Sequence, residues 1–200
     1  MTPRATRQAM IIALLALLVA PQTAQAHKLR EQGLPVAVAD SPLTVTPGRD
    51  WNRLDLRVGK LTESWTLDGE QLNDVTFYAG IEPGTPLVRE RSKKREPLPK
   101  FTASTLLVEV PELVEATYRS YKQIGSFRVL DVSPGRFLGT DGVVFGYEFV
   151  DQDELTRRGE AHAAILGGRL YMISFDAPRL HFFARGIADF RVLAQSARLP

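Results

Sequence analysis

The stretch from Gly159 to Phe175, GEAHAAILGGRLYMISF, leaves its chain little freedom. Two mostly apolar runs flank the pair Gly167-Gly168, and adjacent glycines supply the positive φ that a two-residue hairpin turn demands at both central positions. With the turn placed there, opposed residue numbers sum to 335, so His162 faces Ile173 and Ala164 faces Tyr171. Side chains alternate along a strand. His162, Ala164, Tyr171, Ile173 and Phe175 therefore share one face, and Ala161, Ala163, Ile165, Leu170, Met172 and Ser174 share the other. Both faces are largely apolar. A sheet that needs cover on both sides predicts an α+β sandwich in a single domain, its mainly antiparallel sheet covered by helices and leader segments.

The remaining elements fit that frame. Val143–Val150 alternates so that Val143, Phe145, Tyr147 and Phe149 share a face, and Ser126–Val132 reads as a strand that Ser133-Pro134-Gly135 breaks. Between them, 135–142 reads as a turn carrying one buried aromatic, Phe137. Earlier, Glu63–Leu67 and a strand centred on Val75–Ala79 flank Asp68-Gly69, a strong turn pair. The polar run 70–74 also allows a longer loop. Helical spacing of Leu106, Leu107, Val110, Leu113, Val114, Thr117, Tyr118 and Tyr121 predicts a helix. Pro111 either starts its longer part or kinks it. Phe183, Ile187, Phe190 and Ala194 predict a closing helix, begun at Ala177-Pro178 with Asp176 as cap, and Gly186 weakens its middle. Residues 82–100 hold four prolines and a basic run, Arg89 to Glu96, which reads as a surface loop.

The first 26 residues carry Arg4 and Arg7, then an uncharged apolar run of twelve from Ala9 to Ala20, then Ala24-Gln25-Ala26. A bilayer-spanning helix needs about 20 apolar residues, so the pattern predicts a cleavable signal peptide over 1–26 and no transmembrane anchor in the mature chain. The expected product is periplasmic or secreted, with an extended leader at 27–50, holding one short strand near Pro35–Ala39, and an α+β domain at 51–200. Cleavage removes two arginines and no acid, leaving 23 basic against 23 acidic residues. That balance gives no footing for nucleic acid. Without cysteine, stability must come from packing rather than disulfides.

The order of elements resembles the PsbP-like fold group, which includes DcrB-like exported bacterial proteins. The residues that carry the likeness lie in the last third: Phe145-Gly146-Tyr147, the glycine turn, Leu170–Phe175 followed by a small residue and a helix, and the terminal Ser196. The first half, with ESWTLDG and FYAGI, looks more like a separate family of exported bacterial proteins. The resemblance implies a fold of this size and accessory binding or assembly roles, and it transfers no catalytic residue.

Chemistry is sparse. No phosphate-binding glycine loop, nucleophile elbow or zinc-helix motif is present. The histidines are His27, His162 and His181. His162 reads as packed among aromatics, with no acid partner fixed by local spacing, and His181 as part of the closing helix's first turn. Cleavage after Ala26 makes His27 the mature N-terminus, where amine and imidazole together suit copper, with His162 or His181 adding a third nitrogen. The acids from Asp151 to Glu154 lack the glycine of a calcium loop. Trp51, Trp65, Phe77 and Tyr78 read either as core or as walls of an apolar groove beside Asp68 and Asn73, and Arg179 and His181 are the residues near the closing helix that packing leaves unexplained. The sequence thus supports an exported, non-enzymatic binding or assembly module for an envelope protein or a small apolar or glycan ligand. The competing readings are a copper protein or enzyme and a structural envelope factor.

Overall fold

The computed structural model describes residues 28–56, 58–91 and 97–200. The expected signal peptide, His27 and the centre of the basic loop at 92–96 lie outside the described residues. In chain order the elements are β1 (Lys28–Arg30), β2 (Val36–Ala37), β3 (Thr44–Val45), β4 (Trp51–Arg53), β5 (Thr62–Thr66), β6 (Asp74–Ile81), α1 (Val110–Tyr121), β7 (Ser126–Phe137), β8 (Thr140–Val150), β9 (Thr156–Leu166), β10 (Arg169–Pro178) and α2 (Phe182–Gln195). One eight-stranded antiparallel sheet runs β1-β4-β5-β6-β10-β9-β8-β7, and β2 with β3 forms a small separate ribbon.

The β9–β10 hairpin has the register that its two glycines demand. Gly167 and Gly168 sit at φ 55° and 72°, and His162 pairs with Ile173 and Ala164 with Tyr171. Each face of the sheet then buries its own core. On the first face Ala161, Ala163, Leu170 and Met172 join Phe145, Tyr147 and Phe149 beneath Val110, Val114 and Tyr118 of α1. On the second, Ala164, Ile173 and Phe175 join Trp65 and Phe77 beneath Phe190 and Leu193 of α2. The helices cover only part of each face. Leu87, Leu98 and Phe101 complete the first, and Val38, Leu43 and Val45 complete the second. Of the expected extended leader at 27–50, the described residues 28–50 do more than extend: β1 joins the main sheet through β4, and Val38 and Leu43 are fully buried.

Several local expectations shift. Pro111 does start the long helix, after a separate 3₁₀ turn at Leu107–Glu109. The β5–β6 connection is the longer loop, since Trp65 pairs with Val75 and residues 67–73 lie between the strands. Ser133-Pro134-Gly135 does not end β7, which continues to Phe137 with Pro134 opposite Val143. Because β7 is the last strand of the sheet, its proline can turn the missing N–H outward without breaking the ladder. Asp176 is not a helix cap. β10 runs through Asp176, Ala177 and Pro178, paired with Gly159, Arg158 and Arg157, and α2 begins only at Phe182. Gly186 leaves α2 unbroken for a packing reason: a Cβ there would stand 2.7 Å from the Phe175 ring.

Candidate functional site

A cavity of about 220 Å³ opens between the β7–β8 turn and the C-terminal end of α2. The turn places Leu138 at φ 53° and Gly139 at φ 78°, a conformation glycine takes freely and leucine rarely. Leu138 nevertheless holds it, with its side chain packed against the second core and on the cavity wall. Phe137 and Val144 supply further apolar wall, and His162 of β9 lies between them and α2. Arg136 and Arg198 bring charge from opposite sides, the first from the end of β7 and the second from just beyond α2.

His162 is held on two sides. Its ring meets Phe137 and Phe190 edge-on, with centroids 6.4 and 5.5 Å away. Nε2 lies 3.0 Å from Glu160 Oε1, and Arg191 Nε donates to both oxygens of that same carboxylate at 3.0 and 3.2 Å. Burial alone would push the Glu160 pKa up, but hydrogen bonds from His162 and Arg191 outweigh it and hold the group at about 2. An ionised carboxylate only accepts, so His162 donates from Nε2. Glu160 was legible as a partner. Residues two apart in a strand share a face, so the expectation that spacing fixes no acid beside His162 is corrected.

A second polar centre lies inside the sheet. Asp176 is buried and accepts hydrogen bonds from Arg157 Nε at 2.8 Å, Tyr118 Oη at 3.2 Å and Lys122 Nζ at 3.3 Å. Arg157 also donates to the Gln71 carbonyl at 2.8 Å and approaches Asp74 and Asp151. Burial opposes ionisation of Asp176, but Lys122 and Arg157 outweigh it and hold its pKa below the ordinary carboxylate range. Asp74 faces Asp176 across the β6–β10 pair, and one of its oxygens is buried without a partner. Burial, then the Asp176 charge, pushes the Asp74 pKa up to about 7. Tyr78, Tyr118 and Tyr147 stay protonated, their phenols raised first by burial, with the Asp176 charge adding to it.

The raised Asp74 pKa sets a pH dependence. The folded state holds a proton that the unfolded chain releases near its ordinary pKa of about 3.9, so this contribution to stability is full below that value and is lost as pH rises through 7. Urea unfolding should show a larger stability at pH 5 than at pH 8, and Asp74→Asn should shrink the difference. Equal pH slopes for wild type and variant would remove Asp74 from the account.

The residues singled out from sequence do not form one groove. Trp65 and Phe77 are buried in the second core, with ring centroids 4.6 Å apart, whereas Tyr78 is buried on the opposite face. Trp51 is fully buried as well. Trp65 Nε1 donates to buried Glu63, whose carboxylate also takes Arg30 and the Ala39 amide, tying the leader to β5. Asn73 shapes the β5–β6 loop: Oδ1 accepts from Thr66 Oγ1 and the Leu67 amide, and Nδ2 donates to Asp68. Asp68 in turn accepts from Arg185 of α2. Arg179 is exposed and 3.8 Å from Glu148. His181 is exposed, precedes α2 with φ 70°, and touches Phe182 edge-on, so it is not in the helix's first turn. Among the described residues no group of three metal-capable side chains gathers, and the His27 half of the copper arrangement lies outside them. Nor is any helix among them long and apolar enough to cross a membrane.

No protein-family model matches the sequence, and a search of curated proteins finds no match. Solved structures do match the fold. The solution structure of the cyanobacterial PsbP protein CyanoP from Synechocystis sp. PCC 6803 superposes with a TM-score of 0.54 at 12% identity, covering 92% of this chain and 99% of that one. The Ran-binding protein Mog1p of Saccharomyces cerevisiae gives 0.47 at 11% identity, covering 85% and 96%. LpqN of Mycobacterium tuberculosis, described as involved in cell envelope biogenesis, gives 0.35 at 9% identity, covering 86% and 91%. At such identities the likeness to CyanoP shows architecture: the chain has a PsbP-like fold.

Proposed function

We propose that the chain is an exported, non-enzymatic binding module of the bacterial envelope, and that its ligand site is the cavity beside His162. The cavity carries this reading, because it joins apolar walls at Phe137, Leu138 and Val144 to a few convergent, fixed polar groups. Two further features support it. Leu138 keeps a backbone conformation costing on the order of 1 kcal/mol at the point where its side chain forms the wall. His162, on the same wall, is held in place by Glu160 and by the ring edges it shares with Phe137 and Phe190. Export is supported by the charged, apolar and small-residue segments of the first 26 residues.

Amide chemical-shift mapping against a mixed fragment library tests the site. Saturable shifts should concentrate at Gly139, Val144, His162 and Ala197, and His162→Leu should abolish them for fragments with polar groups. Shifts confined to other surfaces, or none at millimolar fragment, would overturn the assignment.

A further inference from the structure

We infer that the cavity takes a compact ligand presenting a carboxylate on a short apolar body, an inference that rests on the cavity being the ligand site. Charge is the first ground. Arg136 and Arg198 both line the cavity, and the lining includes no acidic side chain. Among the described residues neither arginine pairs with a carboxylate, whereas Arg191, one helical turn before the cavity, pairs with Glu160 through Nε and Nη2. An anion seated in the hollow would meet two guanidiniums and no carboxylate among the lining side chains.

Pre-organisation is the second ground. Arg198 Nη1 donates to the carbonyls of Gln195 and Ala197, and Arg136 Nη2 donates to the carbonyl of Gly139. One nitrogen of each guanidinium is thus tethered to the main chain, and the rest of the planar fork remains for a ligand. A fork already held in place loses less side-chain entropy on binding and suits the two oxygens of a carboxylate.

Size and wall chemistry set the body. At about 220 Å³ the cavity lies below the roughly 300–1,000 Å³ of sites for drug-sized molecules. Phe137, Leu138, Val144 and Ala194 present apolar surface, which bare inorganic anions would leave unused.

Titration of the purified protein with sodium benzoate and with benzamide, at constant ionic strength and followed through the amides of Gly139 and Ala197, tests the class. Benzoate should bind at least ten-fold tighter than benzamide and tighter than sulfate. The variant Arg136→Gln/Arg198→Gln, altered only at exposed side chains, should reduce benzoate to the affinity of benzamide. Equal binding of benzoate and benzamide would overturn the carboxylate class while leaving the cavity a ligand site. A benzoate preference that survives in the double variant would overturn the role of the two arginines. Saturable shifts with neither probe, nor with any fragment, would bring down the cavity itself.

Discussion

Replacing Asp176 with alanine will destabilise the domain by about 3–5 kcal/mol, because it strands a buried charge. Arg157 has 7% of its side chain exposed and uses Asp176 as its close carboxylate partner, with Asp74 and Asp151 only at 3.9 and 4.0 Å. Lys122 and the Tyr118 hydroxyl lose the same acceptor. For a domain of this size the loss corresponds to a Tm lower by on the order of 10 °C. Asp74 will also become more acidic, since the neighbouring charge that helps raise its pKa is gone. Replacing both members together, Asp176→Leu with Arg157→Met, should recover much of the loss, as apolar substitutes for buried ion pairs commonly do. Thermal unfolding of wild type and the two variants measures this. A single-variant loss below about 1 kcal/mol would show that Asp74 and Asp151 can take over Arg157 unaided.

Gly159→Ala will cost about 3 kcal/mol, at the upper end for overpacking a core. Gly159 of β9 lies opposite Tyr147 of β8, and a Cβ there would stand 2.2 Å from the tyrosine ring. The ring cannot step aside. It is fully buried, stacked on Phe127 at 5.3 Å, flanked by Phe149, and its hydroxyl lies 3.3 Å from that of Tyr118. An aromatic lying over a glycine on the neighbouring strand is a recurrent way of closing the gap the glycine leaves. Gly125→Ala is the matched control, since a Cβ there meets nothing within 4 Å, and its effect should stay within about 0.5 kcal/mol. Denaturant midpoints that coincide for Gly159→Ala and wild type would mean the Tyr147 ring has room to move.

How much of this was legible depends on distance along the chain. The β9–β10 register needed only two glycines and strict alternation, both local, and it follows from the residues alone. The same alternation places Phe77 and Tyr78 on opposite faces, and Glu160 with His162 on one. Those two points were available in the sequence, and an aromatic groove through both Phe77 and Tyr78 was excluded from the start. Asp176 shows the opposite case. Asp-Ala-Pro is a fair local signal for a helix start, but the partners that keep this aspartate in a strand are Arg157, nineteen residues away, and Lys122, fifty-four away. The cavity likewise depends on β7 and the end of α2 meeting in space. No periodicity reports such a meeting.

The outer edge of β7 has a consequence for how copies of this molecule meet. A twelve-residue strand with one unpaired margin is a template onto which a like strand could zip. Here the register slips between Val129 and Asp131, and four residues after Leu130 the chain carries Pro134. The slip bends the margin out of line and the proline withholds a donor from any newcomer, so no long uninterrupted ladder can grow there. The β7 end of the sheet therefore discourages edge-to-edge association between copies of this molecule.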